Sequence, residues 1–236
     1  MKNVHSFSCL LGACLLATLA AAPAAFAQQA QRSYPSMAPL SQYLMADQAA
    51  EIKLARSAAP AAISDHATVM VLQPHGYVEA VKGSNGYVCI VDRSWMSAFD
   101  APQFWNPKLR GPTCLNPQAA ASILPLTLKR TVLALTLHSK EGIQQGMQAA
   151  FAARQLPPLE PGAMSYMMSK QGYLDDQAGH WMSHVMFYTP AKMDWGADLA
   201  GSPVISNPQF LGDAQPINVQ MITVSKWSDG TPAPSM

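Results

Sequence analysis

The sequence predicts an α+β domain with a mainly antiparallel sheet: an N-terminal three-stranded meander, C-terminal strands, and a helical pair inserted between them. Three observations predict it. Short apolar and β-branched runs flank Asn85-Gly86, helical spacing governs the middle of the chain, and strand-like texture returns near Met164.

Ahead of the domain, residues 1–27 read as an export signal. One cation, Lys2, precedes an apolar run from Cys9 to Ala22, and Ala25-Phe26-Ala27 places small residues where signal peptidase cuts. The run is shorter than the roughly 20 residues of a membrane-spanning helix. Leu11-Gly12-Ala13-Cys14 has the shape of a lipobox, but the stronger apolar stretch lies after Cys14. Cleavage after Ala27 leaves residues 28–236 as a single globular domain, exported to the periplasm or secreted.

Losing Lys2 leaves 14 basic residues against 14 acidic ones. A balanced surface argues against nucleic acid, whose phosphates call for a basic face. No later segment approaches a membrane span. Two cysteines survive cleavage, Cys89 and Cys114, and in an oxidising compartment such a pair is expected to be a disulfide.

Within the domain, residues 28–45 are polar and proline-bearing, suited to a surface arm. Asp47 is positioned to cap a helix from Gln48 to Ala58, with Pro60 as its stop. Ala67–Gln73, Tyr77–Lys82 and Tyr87–Asp92 read as three strands, the last two joined by a hairpin at Asn85-Gly86, because both residues tolerate positive φ. Residues 93–116 read as a long ordered loop held by the disulfide. Asn116-Pro117 opens a helix carrying Leu124, Leu128, Val132 and Leu135 on one face, with Pro125 as a kink. Ser139 caps a second helix from Lys140 to Arg154. Met164–Lys170 and His180–Thr189 form a strand pair, Ile217–Ser225 a last strand, and Thr231–Pro234 a loose tail.

Standard catalytic signatures are missing. There is no Gly-x-Ser-x-Gly, Ser-x-x-Lys, His-Glu-x-x-His, Gly-x-Gly-x-x-Gly or Walker loop. One constellation stands out, in the segment 180–186. Alternate residues of a strand share a face, which would align His180, Met182, His184 and Met186. Imidazole and thioether together suit a soft ion such as Cu(I), and Met164, Met167 and Met168 on the neighbouring strand could add sulfur. His75, in the meander turn, is a further candidate ligand. The competing reading makes the methionines core fillers and the histidines rim residues. The tryptophans, several beside turns, are expected to seal the core rather than offer stacking platforms.

Glu51 to Ser64, Val78 to Trp95, Phe104 to Asn116, Pro161 to Leu174, Gly179 to Tyr188, Asp194 to Val204 and Trp227 to Pro232 resemble an uncharacterised family of exported bacterial proteins. The resemblance covers most of the domain and implies no activity. Relatives often carry His-Trp-His-x-His where this chain has His180-Trp181-Met182-Ser183-His184, so Met182 shifts any metal site toward mixed nitrogen and sulfur.

Three functions follow as expectations. The first is a periplasmic or secreted binding protein whose small ligand or soft metal ion meets the 164–188 strand pair. The second is a hydrolase with His180 or His184 as base beside Asp175 or Asp176. The third is a non-catalytic structural or interaction protein of the cell envelope.

Overall fold

Residues 34–176, 179, 182–207 and 217–234 are described by the computed structural model. The expected signal at residues 1–27, and His180 and Trp181, lie outside the described residues.

Helix α1 (Gln48–Arg56) starts where the sequence expects, with the Asp47 carboxylate accepting the Ala49 N–H at 2.9 Å. A single turn, α2 (Ala61–Ser64), follows Pro60. Strands β1 (Thr68–Gln73) and β2 (Gly76–Val81) form an antiparallel hairpin.

The third strand corrects the expected meander. β3 (Val88–Asp92) does not continue from β2; it lies on the other side of β1 and runs parallel to it, with Thr68 opposite Val88 and Val69 opposite Cys89. Asn85-Gly86 therefore belongs to a crossing loop rather than a hairpin. The physical reason is the anchoring of that loop to the chain entering β1. The Ser84 N–H donates to the His66 carbonyl at 2.8 Å, Asn85 Nδ2 donates to the Ile63 carbonyl at 2.8 Å, and the Gly83 N–H donates to Thr68 Oγ1 at 3.0 Å. Gly83 passes so close to that backbone that a Cβ there would sit 2.1 Å from the Thr68 nitrogen, so only glycine fits the crossing.

The end of the expected 93–116 loop is also a strand. β4 (Gly111–Leu115) pairs antiparallel with β3 and sets Cys114 directly opposite Cys89, to which it is disulfide-bonded. Glycine and proline at its start hide it from propensity, yet all five of its residues are buried.

Three helices, not two, follow. α3 (Pro117–Ser122) starts at Asn116, whose side chain accepts the Ala119 N–H at 2.8 Å. The helix breaks at Ile123, and α4 (Leu124–Leu137) carries Pro125 in its first turn. There the missing proline N–H leaves no bond unmade, so the residue starts a helix instead of kinking one. His138 closes α4 with φ of 52°, and the Ser139 side chain caps α5 (Lys140–Ala152).

Strands β5 (Met164–Met167) and β6 (His184–Pro190) form the expected antiparallel pair. β7 (Val204–Asn207) was not anticipated, and it pairs with β8 (Ile217–Thr223). All eight strands belong to one mixed, mostly antiparallel sheet of order β2-β1-β3-β4-β5-β6-β8-β7.

Strands β3 and β4 are covered on both faces. Alternation along β3 sends Cys89 and Val91 to a cluster with Leu54, Ala55 and Ala58 of the α1 segment. Ile90 faces the other way, into a cluster with Trp95, Phe104, Trp105, Ile123, Leu124, Leu126, Ile143 and Met147. Trp95, Trp105 and Trp227 are buried, as expected, whereas Trp195 is exposed.

Where β1 and β3 stop pairing, a buried ion pair takes over. Glu51 accepts the Leu72 N–H at 3.1 Å and Arg93 Nη2 at 2.8 Å. Arg93 in turn donates to the carbonyls of Val91 and Tyr43. Backbone groups that would otherwise be orphaned in the interior are thereby satisfied.

Candidate functional site

The second face of the sheet does not close fully against its cover. Between the strands and the layer formed by residues 93–109 and α3–α4 lies a cavity of about 460 Å³. Period-two alternation selects its floor: Ile90 and Asp92 from β3, Thr113 from β4, Met167 from β5, His184, Met186 and Tyr188 from β6, and Val219 and Met221 from β8. Its roof includes Met96, Ile123, Leu126 and Thr127. The lining is mainly apolar, with a few polar groups set into it, as in most small-molecule sites.

Three of the four residues singled out in the sequence line this cavity. Met182, His184 and Met186 share it as alternation requires, and His180 lies outside the described residues. Strand β6 begins only at His184, so Met182 precedes the ladder and is 36% exposed. Register adds two thioethers: Met167 stands opposite His184, and Met221 stands opposite Met186. Residues directly opposite on paired strands have Cβ atoms roughly 4.5–5.5 Å apart, which makes these side chains neighbours. Met164 and Met168 are not among the lining residues, and His75 is exposed in the β1–β2 turn.

His184 is fully buried, and its Nδ1 lies 2.8 Å from the Met182 carbonyl oxygen. Only a protonated Nδ1 can hydrogen-bond a carbonyl, so that nitrogen is the donor. Burial, against the smaller effect of that bond, holds the imidazole below the usual histidine range and keeps it neutral. Among the described residues, no group of three or more His, Cys, Asp or Glu side chains is arranged to hold a metal ion. Any metal here would therefore depend on the methionines.

Of the carboxylates expected to assist a histidine base, Asp176 lies in other company. Asp176 accepts from the Tyr173 and Tyr34 hydroxyls and from Lys108 Nζ, at 2.5, 2.5 and 2.9 Å. Those bonds, Tyr173 first, hold its carboxyl far below the usual range, which makes it a poor proton acceptor. It pins the chain near Tyr34 to the 173–176 turn.

Asp92 is the group that sequence reading missed. It ends β3, lines the cavity, and accepts Thr113 Oγ1 at 2.7 Å through Oδ2. Its other oxygen, Oδ1, is buried without a hydrogen-bond donor. Burial, only partly opposed by Thr113, Arg93 and Arg130, raises its carboxyl to about 6. A signal was present in the sequence: a carboxylate closing the apolar run Val88-Cys89-Ile90-Val91 has to face one side of a buried strand. Gly111, opposite Asp92, leaves room for Met167, whose Cε would lie 3.3 Å from a Cβ at that position.

Compared with protein-family models, curated proteins and solved structures, the chain gives no match in any of the three. No helix among the described residues is long and apolar enough to cross a membrane.

Proposed function

We propose that this chain is an exported binding protein that holds one small, largely apolar ligand against the inner face of β3–β6 and β8. The observation that carries the reading is the cavity of about 460 Å³. A ligand seated there would bury apolar surface against the methionine-rich wall, and the volume falls within the roughly 300–1,000 Å³ of small-molecule sites. Export rests on the signal-like residues 1–27, and the buried Cys89–Cys114 disulfide suits an oxidising compartment.

The test is calorimetric titration of the mature protein with 4-phenyl-1-butanol. Saturable one-to-one binding, lost in a folded Met186→Trp variant that fills the cavity, supports the reading. No binding by the folded wild type of this alcohol, or of the amine and the acid built on the same skeleton, rejects it.

A second reading is favoured by the register itself. Met167 opposite His184 and Met186 opposite Met221, with Met182 nearby, bring four thioethers and one imidazole to a single wall. Such a donor set suits Cu(I), with the Nδ1–H···O bond of His184 fixing the tautomer that leaves Nε2 as the ligand nitrogen. Titration with Cu(I) under reducing conditions, set against Mg(II), decides it. Binding of Cu(I) alone, weakened in His184→Ala and Met182→Ala, supports a metal site.

A further inference from the structure

We infer that the ligand of this cavity is an amine, its apolar body lying on the methionine wall and its ammonium held by Asp92. The inference rests on the binding reading above and adds the chemical class of the ligand.

Two oxygens on residues that line the cavity, Asp92 Oδ1 and Gln103 Oε1, are buried without a donor. An interior acceptor without a partner is destabilising, more so when charged, so a ligand carrying N–H or O–H groups gains more here than a hydrocarbon does. An amide can be turned over to exchange its oxygen and nitrogen, but no rotation of Asp92 supplies a donor.

Charge then separates an amine from an alcohol. Among the described residues, the one hydrogen bond that the Asp92 carboxylate accepts comes from a neutral hydroxyl, that of Thr113. The nearby cations are engaged elsewhere. Arg93 is paired with Glu51 and bonded to two carbonyls, while Arg130 donates to the Ser97 carbonyl and lies 4.4 Å from the centroid of the Phe99 ring. Asp92 is therefore a half-buried carboxylate, with Oδ1 enclosed and, among the described residues, no cation in direct contact. An ammonium would supply both the missing donor and the missing charge, forming a charge-assisted bond that a hydroxyl cannot match. The rest of the lining offers sulfur and hydrocarbon from Met96, Met167, Met186, Met221, Ile90 and Leu126. That surface suits an aromatic or alkyl body, since thioethers pack well against rings.

The test compares three probes with one skeleton: 4-phenylbutylamine, 4-phenyl-1-butanol and 4-phenylbutyrate, each titrated calorimetrically into wild type and Asp92→Asn at pH 7.5. The expected result is that the amine binds wild type at least tenfold more tightly than the alcohol, and the acid most weakly. In Asp92→Asn the amine's advantage should vanish, while alcohol affinity stays within about threefold. Alcohol binding equal to or tighter than amine binding overturns the amine inference and leaves the cavity reading standing. An amine advantage that survives in Asp92→Asn also overturns it, by removing Asp92 as the anchor. Absence of binding by all three probes rejects the cavity reading and this inference together. The head-group comparison in wild type needs no variant, so it decides the matter even if Asp92→Asn fails to fold.

Discussion

Glu51 and Arg93 meet at 2.8 Å with side chains 3% and 0% exposed, and they bind the backbone where strands β1 and β3 part. A buried pair of this kind is weak evidence of net stabilisation, but breaking it leaves a charge uncompensated in the interior. Glu51→Ala should therefore destabilise the fold by about 3–5 kcal/mol in urea denaturation. It also strips the Leu72 N–H of its acceptor. A loss below about 1 kcal/mol would mean that the pair is not the junction described here.

Cys89 and Cys114 should show no free thiol when the unreduced protein is denatured and labelled. The bond closes a separation of 25 residues, and its removal by Cys89→Ala/Cys114→Ala should cost about 3 kcal/mol in the chain-entropy model. Labelling at both positions would contradict the pairing.

Stability should depend on Asp92 in a pH-dependent way. Its carboxyl is raised from 3.8 to about 6 in the folded chain, so the folded state binds the proton more tightly than the unfolded state does. Stability from this group is therefore present at low pH and lost as pH rises from about 4 to about 6, by up to about 3 kcal/mol. Asp92→Asn should be more stable than wild type at pH 8, by about 1–3 kcal/mol, with the gap closing near pH 4. An equal gap at both pH values in parallel thermal melts would contradict the assigned burial.

Local signals made much of this fold legible. Asp47, Asn116 and Ser139 each cap the helix that their side chains suggest, and the β5–β6 pair follows from alternation. What misled was tertiary. Asn85-Gly86 carries a strong hairpin signal, but hydrogen bonds to Ile63, His66 and Thr68 turn that loop across the end of β1. β4 was obscured by Gly111-Pro112, whose low strand propensity is overridden by burial between β3 and β5. At the site, the shared face of Met182, His184 and Met186 could be read from spacing alone. Asp92, Met167 and Met221 join it only through strand register, which no local pattern reveals.

The proposed export makes a direct prediction about mass. Expressed with residues 1–27 and recovered from a bacterial periplasm, the protein should begin at Gln28. An intact mass that retains those residues, or a lipid on Cys14, would contradict cleavage after Ala27.

The ligand cavity is tested most directly by its methionines. With methyl-¹³C methionine incorporated, titration with 4-phenylbutylamine should shift the methyl resonances of Met96, Met167, Met182, Met186 and Met221, which line the cavity. The methyl of Met147, buried in α5 and outside the lining, should stay in place. A saturating shift confined to the lining methyls is the predicted result, and lining methyls left unmoved by saturating 4-phenylbutylamine, 4-phenyl-1-butanol and 4-phenylbutyrate alike would contradict a binding cavity on this face of the sheet.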